Sequence, residues 1–236
     1  MNGDPDPREI QIIRSWYANA SAWSNAIRTA SIASRKLVTN RAIIESVSSV
    51  SPLRVLDIGC GEGWLARALA AFKMQVIGID AVPALVAQAQ ALGGGEFRVQ
   101  DYASIAKQQL RLDSVDAVVC NFSLLGKESV EDLLGALPHY LKDQGSLIIQ
   151  SLHPVAACGL NPYEDGWREG SWLGFSSDFS DPAPWYFRTL ESWSAMLERC
   201  GFEILERREP KLAGADVPAS VVWICKARRS AQTDQR

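Results

Sequence analysis

The stretch VLDIGCGEGW, residues 55–64, decides the fold of this chain. A short apolar run ends in Asp57 and Ile58. Gly59, Gly61 and Gly63 then alternate, and Trp64 opens an Ala- and Leu-rich run to Phe72 that reads as helix. Glycine accepts positive φ and lets a ligand approach the main chain, so it suits a tight strand-to-helix turn. A ligand there also meets the free N–H groups that begin a helix. The spacing narrows the ligand. A dinucleotide fingerprint, GxGxxG, wants its third glycine where Trp64 stands, and the Gly-Lys-Ser/Thr of a P-loop is absent.

The same rhythm continues outward. Gln75–Ile79 reads as a second strand and Pro83–Leu92 as a helix opened by proline, a residue suited to a first helical position. Phe97–Val99, Val115–Cys120 and Gly145–Leu152 read as further strands, with a helix over Ser129–Leu141. Strands alternating with helices predict βαβ units and a parallel sheet. Runs such as VLDI, VIGI and AVVC are apolar throughout, as strands buried on both faces are. Residues 9–50 read as helices, with apolar stripes through Ile10, Ile13, Trp16 and Tyr17 and through Ile43, Ile44 and Val47. Leu190–Cys200 reads as a last helix, and Phe202–Arg208 and Ser220–Lys226 as closing strands.

Composition bounds the function. The 236 residues carry 24 Lys+Arg against 27 Asp+Glu, a net charge of −3. This is ample length for one core, and the charge balance gives no support to a nucleic-acid partner. The five cysteines are dispersed, without CxxC or metal-ligand spacing, and His139 and His153 are too few for a His-built metal site. No metal is expected. The N-terminus is neither signal nor transit peptide and no apolar run spans a bilayer, so a cytoplasmic protein without a membrane partner is expected.

Beyond the glycine loop, three more landmarks follow in order: Asp80 ending VIGID, Asp101 in FRVQDY, and Asn121-Phe122 ending DAVVCNF. With the loop, they make residues 53–152 resemble the class I S-adenosylmethionine-dependent methyltransferases, of the small-molecule kind. The resemblance implies a Rossmann-like sheet of seven mostly parallel strands, the last antiparallel, with helices on both faces. It implies S-adenosylmethionine as cofactor and S-adenosylhomocysteine as product. It places Gly59 and Gly61 on the cofactor, Asp80 on the ribose hydroxyls and Asp101 on the adenine amine. Asp57 either supports the loop or meets the cofactor's amino group. Cys60, Ala81, Tyr102 and Asn121 complete the cofactor set, with Arg35 near its carboxylate. Phe122 and Tyr17 are expected beside the substrate.

The expected organisation is a helical segment over the cofactor (1–50), the core (51–152), a substrate cap (153–188), a closing helix and strand pair (189–227), and a tail (228–236). The cap is named for its aromatics. Tyr163, Trp167, Trp172, Trp185 and Tyr186 are interleaved with Gly, Pro and Asp, in a segment that reads as neither strand nor regular helix. Such rings make apolar walls with polar tips, and Arg188 can fork onto a carboxylate. His153, directly after strand five, is the first candidate for a general base, and Tyr186 the second. No Pro-Cys or Asn-Pro-Pro motif of the nucleic-acid base methyltransferases occurs. The expected reaction is methyl transfer to an O or N atom of a small molecule. The alternatives are a non-catalytic cofactor-binding subunit, a protein or RNA substrate, and a nicotinamide dehydrogenase.

Overall fold

The computed structural model describes residues 6–228. Strands β1 (Arg54–Ile58), β2 (Gln75–Asp80), β3 (Glu96–Val99), β4 (Val115–Asn121), β5 (Leu141–Leu152), β8 (Phe202–Arg208) and β9 (Ser220–Ala227) form one sheet. Their order is β3-β2-β1-β4-β5-β9-β8. All neighbours from β3 to β5 are parallel, and β9 runs antiparallel to both β5 and β8. This is the seven-stranded sheet with one antiparallel strand that the methyltransferase resemblance implies. Strand β1 lies between β2 and β4, so the chain reverses its direction of travel across the sheet there. Open α/β sheets bind ligands at such a switch point, outside the carboxyl ends of the strands. Asp57, Asp80 and Asn121 lie at those ends.

Alternation along the strands sorts two apolar faces. Leu56, Ile58, Val118, Cys120, Leu147 and Ile149 pack on one side with α6 (Glu128–Ala136) and α8 (Leu190–Arg199). Val55, Ala117, Val119 and Ile148 pack on the other with α2 (Asn40–Ser49), α3 (Trp64–Ala70) and α4 (Pro83–Leu92). Ile43 and Val47 of α2 are fully buried in this second layer. The segment before residue 50 is therefore part core, not wholly a cover.

Helix α1 (Pro7–Arg28) is capped by Asp6, whose side chain accepts from the Arg8 N–H. Its inward face is unexpectedly polar, with Ser15, Asn19 and Ser24 buried, while Ile10, Ile13 and Tyr17 of the predicted apolar stripe are substantially exposed. The polar part of that face docks on main chain, while Trp16, Ala20 and Trp23 pack on Val82 and Leu85 at the start of α4. Asn19 Nδ2 donates to the Ser180 carbonyl at 2.7 Å, Asn19 Oδ1 accepts from the Ser180 N–H at 2.9 Å, and Ser15 donates to the Asp181 carbonyl. The 153–188 segment is also more regular than its composition suggests. It holds a short helix α7 (Pro154–Cys158) and an antiparallel ribbon of β6 (Gly166–Arg168) and β7 (Trp185–Phe187), pairing Trp167 with Tyr186. Among the described residues no helix is long and apolar enough to cross a membrane. The predicted tail beyond Arg228 and residues 1–5 lie outside the described residues.

Candidate active site

The glycine loop is built by close approach. Gly59 has φ +74°, and a Cβ there would stand 2.3 Å from Ser123 Cβ. The N–H groups of Gly59 and Cys60 both donate to the Ile79 carbonyl, tying the loop to β2. Asp80 closes the turn from the other side. Its Oδ2 accepts from Gly61 N–H and its Oδ1 from Val82 N–H, each at 2.9 Å. A Cβ at Gly61 would meet only Trp23 Nε1, at 3.7 Å, so this part of the loop faces open space. Tyr102 donates to the Ser123 carbonyl and Ser123 to that of Ile58, which fastens α5 (Tyr102–Ala106) and the end of β4 to β1. Burial pushes the Cys60 thiol far up, so it is inert packing beside the loop.

The loop borders a cavity of about 290 Å³. Arg35, Asp57, Gly59, Cys60, Gly61, Asp80, Ala81, Asp101, Tyr102, Asn121 and Phe122 all line it, so the structure brings together every residue the resemblance assigned to the cofactor. Several present polar atoms without partners. Asp57 Oδ2, Asn121 Oδ1, and Nε and Nη2 of Arg35 are buried with no hydrogen bond within the described chain. Burial, reinforced by the charge of Asp80 and opposed by Arg35, lifts the Asp57 carboxyl to about 7. Burial also lifts Asp80, against the N–H groups that favour its charge. Arg35 sits in a π-helical turn (Arg35–Thr39) with its guanidinium 4.9 Å from the Trp64 ring centroid and 5.5 Å from that of Trp23. Burial lowers its pKa to about 10. Irregular helical turns of this kind are frequent at functional sites. Asp101 also caps α5 through the Ser104 N–H.

A second cavity of about 420 Å³ adjoins the first, sharing Trp16, Trp23, Arg35, Phe122 and Leu125 with it. Phe122 holds this partition with φ +54°, a strained conformation for a bulky residue that structures retain mainly at functional sites. Trp172, Trp185, Tyr186 and Arg188 line the second cavity as predicted. Four predicted residues do not line it. Tyr163 accepts from the Leu190 N–H and stacks on Phe187, so it braces the start of α8. Trp167 packs edge-on against Tyr186 across the ribbon, with the Arg8 guanidinium 4.6 Å from its ring centroid, and borders neither cavity. Tyr17 is half exposed and donates to the Ala81 carbonyl from outside. His153 lies between Leu152 and Pro154, which line the cavity, but points the other way, with Nε2 3.7 Å from Glu209 after β8. It is buried there and borders neither cavity. Arg188 is on the wall, but its guanidinium donates to the carbonyls of Gly126 and Lys127, each at 2.9 Å, and lies 3.7 Å from Glu131. It clamps the start of α6 and has no open fork.

Sequence reasoning missed Glu9 as a site residue, and nothing local marks it. Its carboxylate accepts from the Lys127 N–H and the Ser129 hydroxyl, pinning α1 across the cavity to the start of α6. Trp16 and Trp23, in edge contact at 5.1 Å, form the partition's roof from α1.

A glycine loop at the switch point, carboxylates at successive strand ends and an unpaired cation above them define a Rossmann-like site for a nucleoside cofactor with an amino-acid end. Residues 22–207 match the family model for the methyltransferase domain. The chain belongs to that family, among the class I S-adenosylmethionine-dependent methyltransferases, whose shared cofactor is S-adenosylmethionine. It is 22% identical over 179 residues to an uncharacterised methyltransferase of Schizosaccharomyces pombe, covering 69% of this chain and 64% of the relative. It is 35% identical over 109 residues to a ubiquinone biosynthesis O-methyltransferase of Xanthomonas axonopodis, covering 44% and 45% respectively. The matches thus span less than two thirds of these curated relatives. In architecture it resembles the plantazolicin methyltransferase BamL, solved in complex with a triazolic desmethylPZN analogue and SAH, at TM-score 0.64 and 19% identity over 94% of this chain and 97% of that one.

Proposed function

We propose that this protein transfers the methyl group of S-adenosylmethionine to an oxygen or nitrogen atom of a small molecule. The carrying observation is the second, aromatic-walled cavity that shares a partition with the cofactor cavity. The residues fit the cofactor: the cavity lining offers unpartnered atoms of Asp57 and Arg35, a carboxylate and a guanidinium, to a ligand carrying both an ammonium and a carboxylate. Asp80 takes the ribose hydroxyls, Asp101 the adenine amine, Asp57 the ammonium, and Arg35 the carboxylate. Gly59, Cys60 and Gly61 form the floor, with Ala81, Tyr102 and Asn121 around it. Bound S-adenosylmethionine supplies a methyl group on a positively charged sulfur, already a good leaving group.

The protein's part is then alignment and exclusion of water. Phe122 and Leu125 set the passage between the cavities. Trp172, Trp185 and Tyr186 enclose the acceptor, and α1, latched by Glu9 and Asn19, closes the roof. Tyr186 is the candidate acid–base group, being the phenol on this wall, and His153 is withdrawn from that role. The likeness to ubiquinone O-methyltransferases favours oxygen as acceptor. All five cysteines are free, which supports a cytoplasmic setting. The test is transfer of label from methyl-tritiated S-adenosylmethionine into a fractionated cell extract. Label in the small-molecule fraction is expected. Label confined to protein or RNA would overturn the small-molecule reading.

A further inference from the structure

We infer that the acceptor is an organic acid on an apolar, ring-bearing body, and that its ionised oxygen is the atom methylated; this rests on the methyltransferase reading above. The wall of the second cavity carries the argument. Trp172, Phe175, Trp185 and Tyr186 give it a broad apolar side that suits a flat ring. Among the described residues, no Asp, Glu, His, Lys or Cys lines it. A cationic amine finds no carboxylate there, and an unpaired charge is costly to bury. An alcohol or ammonium acceptor finds no imidazole or carboxylate to take its proton.

What the wall does offer is donors that lack acceptors. Arg35 is 7% exposed, with Nε and Nη2 unpartnered. Thr39, four residues on in the same π-turn, is 1% exposed, and its Oγ1 is also unpartnered. Thr39 borders the acceptor cavity and not the cofactor cavity, so its hydroxyl has no role in holding the cofactor. Arg35 borders both. A guanidinium carries five N–H donors, which the cofactor's carboxylate and the acid would share, whereas the Thr39 hydroxyl is left to the acid alone. Buried donors of this kind are stabilised only when an acceptor arrives. The acid group therefore docks on Arg35 and Thr39 at the partition, with its apolar body toward Trp172 and Trp185.

The step balances without a base. A carboxylate oxygen lone pair forms the new O–CH3 bond while the methyl–sulfur bond breaks, and that bond's electron pair remains on sulfur. The acid's negative charge and the sulfur's positive charge cancel, leaving a neutral ester and a neutral thioether, and no proton is released.

The experiment titrates the purified chain, with and without saturating S-adenosylhomocysteine, with 2-naphthylacetate, 2-naphthylacetamide and 2-(2-naphthyl)ethylammonium. Calorimetry and tryptophan fluorescence are the readouts. The acid should bind at least about tenfold tighter than the amide, a charge-assisted hydrogen bond's worth, and the ammonium should bind weakest. Thr39→Val, which keeps shape and removes an unsatisfied hydroxyl, should weaken the acid about threefold to tenfold, leave S-adenosylhomocysteine affinity unchanged and leave the ligand-free melting temperature unchanged or raised. Amide or ammonium binding as tight as the acid overturns the inference. So does no acid binding at millimolar concentration, or wild-type acid affinity in Thr39→Val. Failure of S-adenosylhomocysteine itself to bind, read before any naphthyl probe is added, rejects the methyltransferase reading instead, and the ester-forming step with it.

Discussion

Asp57→Asn should stabilise the ligand-free protein at high pH while impairing cofactor binding. Asp57 is 1% exposed at the end of β1, one of its oxygens has no partner, and its carboxyl is lifted from 3.8 to about 7. A carboxyl raised on folding binds more protons folded than unfolded between about pH 4 and 7, so stability falls as pH rises through that window. At pH 8 the ionised group costs about 4 kcal/mol relative to its unfolded value. The variant removes that cost but leaves a buried amide N–H2 unsatisfied, itself worth about 1–3 kcal/mol. The net gain is therefore about 2 kcal/mol, or roughly 4–8 °C in melting temperature for a chain of this size. At pH 5 the folded carboxyl holds its proton and the cost falls to about 2 kcal/mol, which the unsatisfied amide offsets, so the two proteins should be about equally stable. Calorimetric melting of both proteins without ligand at pH 5, 6.5 and 8 checks this. A difference independent of pH, or a less stable variant at pH 8, refutes the reasoning. S-adenosylhomocysteine affinity should fall about tenfold to a hundredfold, since an ionic hydrogen bond to the ammonium is lost. Gaining stability by removing a site charge is the expected conflict between stability and activity.

Asp80→Ala removes the acceptor of the Gly61 and Val82 N–H groups, and should weaken S-adenosylhomocysteine binding by at least about 1 kcal/mol, measured by calorimetry. Gly59→Ala places a Cβ 2.3 Å from Ser123 at positive φ, and should destabilise the fold by about 2 kcal/mol or more in urea unfolding, with loss of cofactor binding. His153→Gln should leave methyl transfer within about twofold of wild type, whereas loss of a general base costs about a hundredfold or more.

The site was legible where sequence neighbours build it. The loop from Asp57 to Gly63 and Asp80 fall at ends of apolar runs, Asp101 follows the short strand β3, and the parallel sheet brings consecutive strand ends to one edge. The roof was not legible in detail, because its parts meet across large separations. Glu9 binds the start of α6, Asn19 binds Ser180, and Thr39, at the end of the π-turn, borders the second cavity far along the chain from the segment that forms its aromatic wall. The polar part of α1's inner face defied the apolar-stripe reading, since Ser15 and Asn19 dock on main chain needing hydrogen bonds. His153 failed as a base for another reason. Proximity to a strand end does not fix a side chain's direction, and its neighbours Leu152 and Pro154 line the cavity while it faces Glu209. The aromatic segment showed its role but not its order. Trp167 and Tyr186 pair across the β6–β7 ribbon, and only Tyr186 lines the cavity.

The central claim is that the cavity around Asp57, Asp80 and Arg35 binds S-adenosyl compounds. The most direct measurement is calorimetric titration of the purified protein with S-adenosylmethionine, S-adenosylhomocysteine and NADH. Binding of both sulfur compounds at one site per chain, without NADH binding, is predicted, and Arg35→Ala should weaken both. Binding of NADH alone, or of none of the three, would contradict the account.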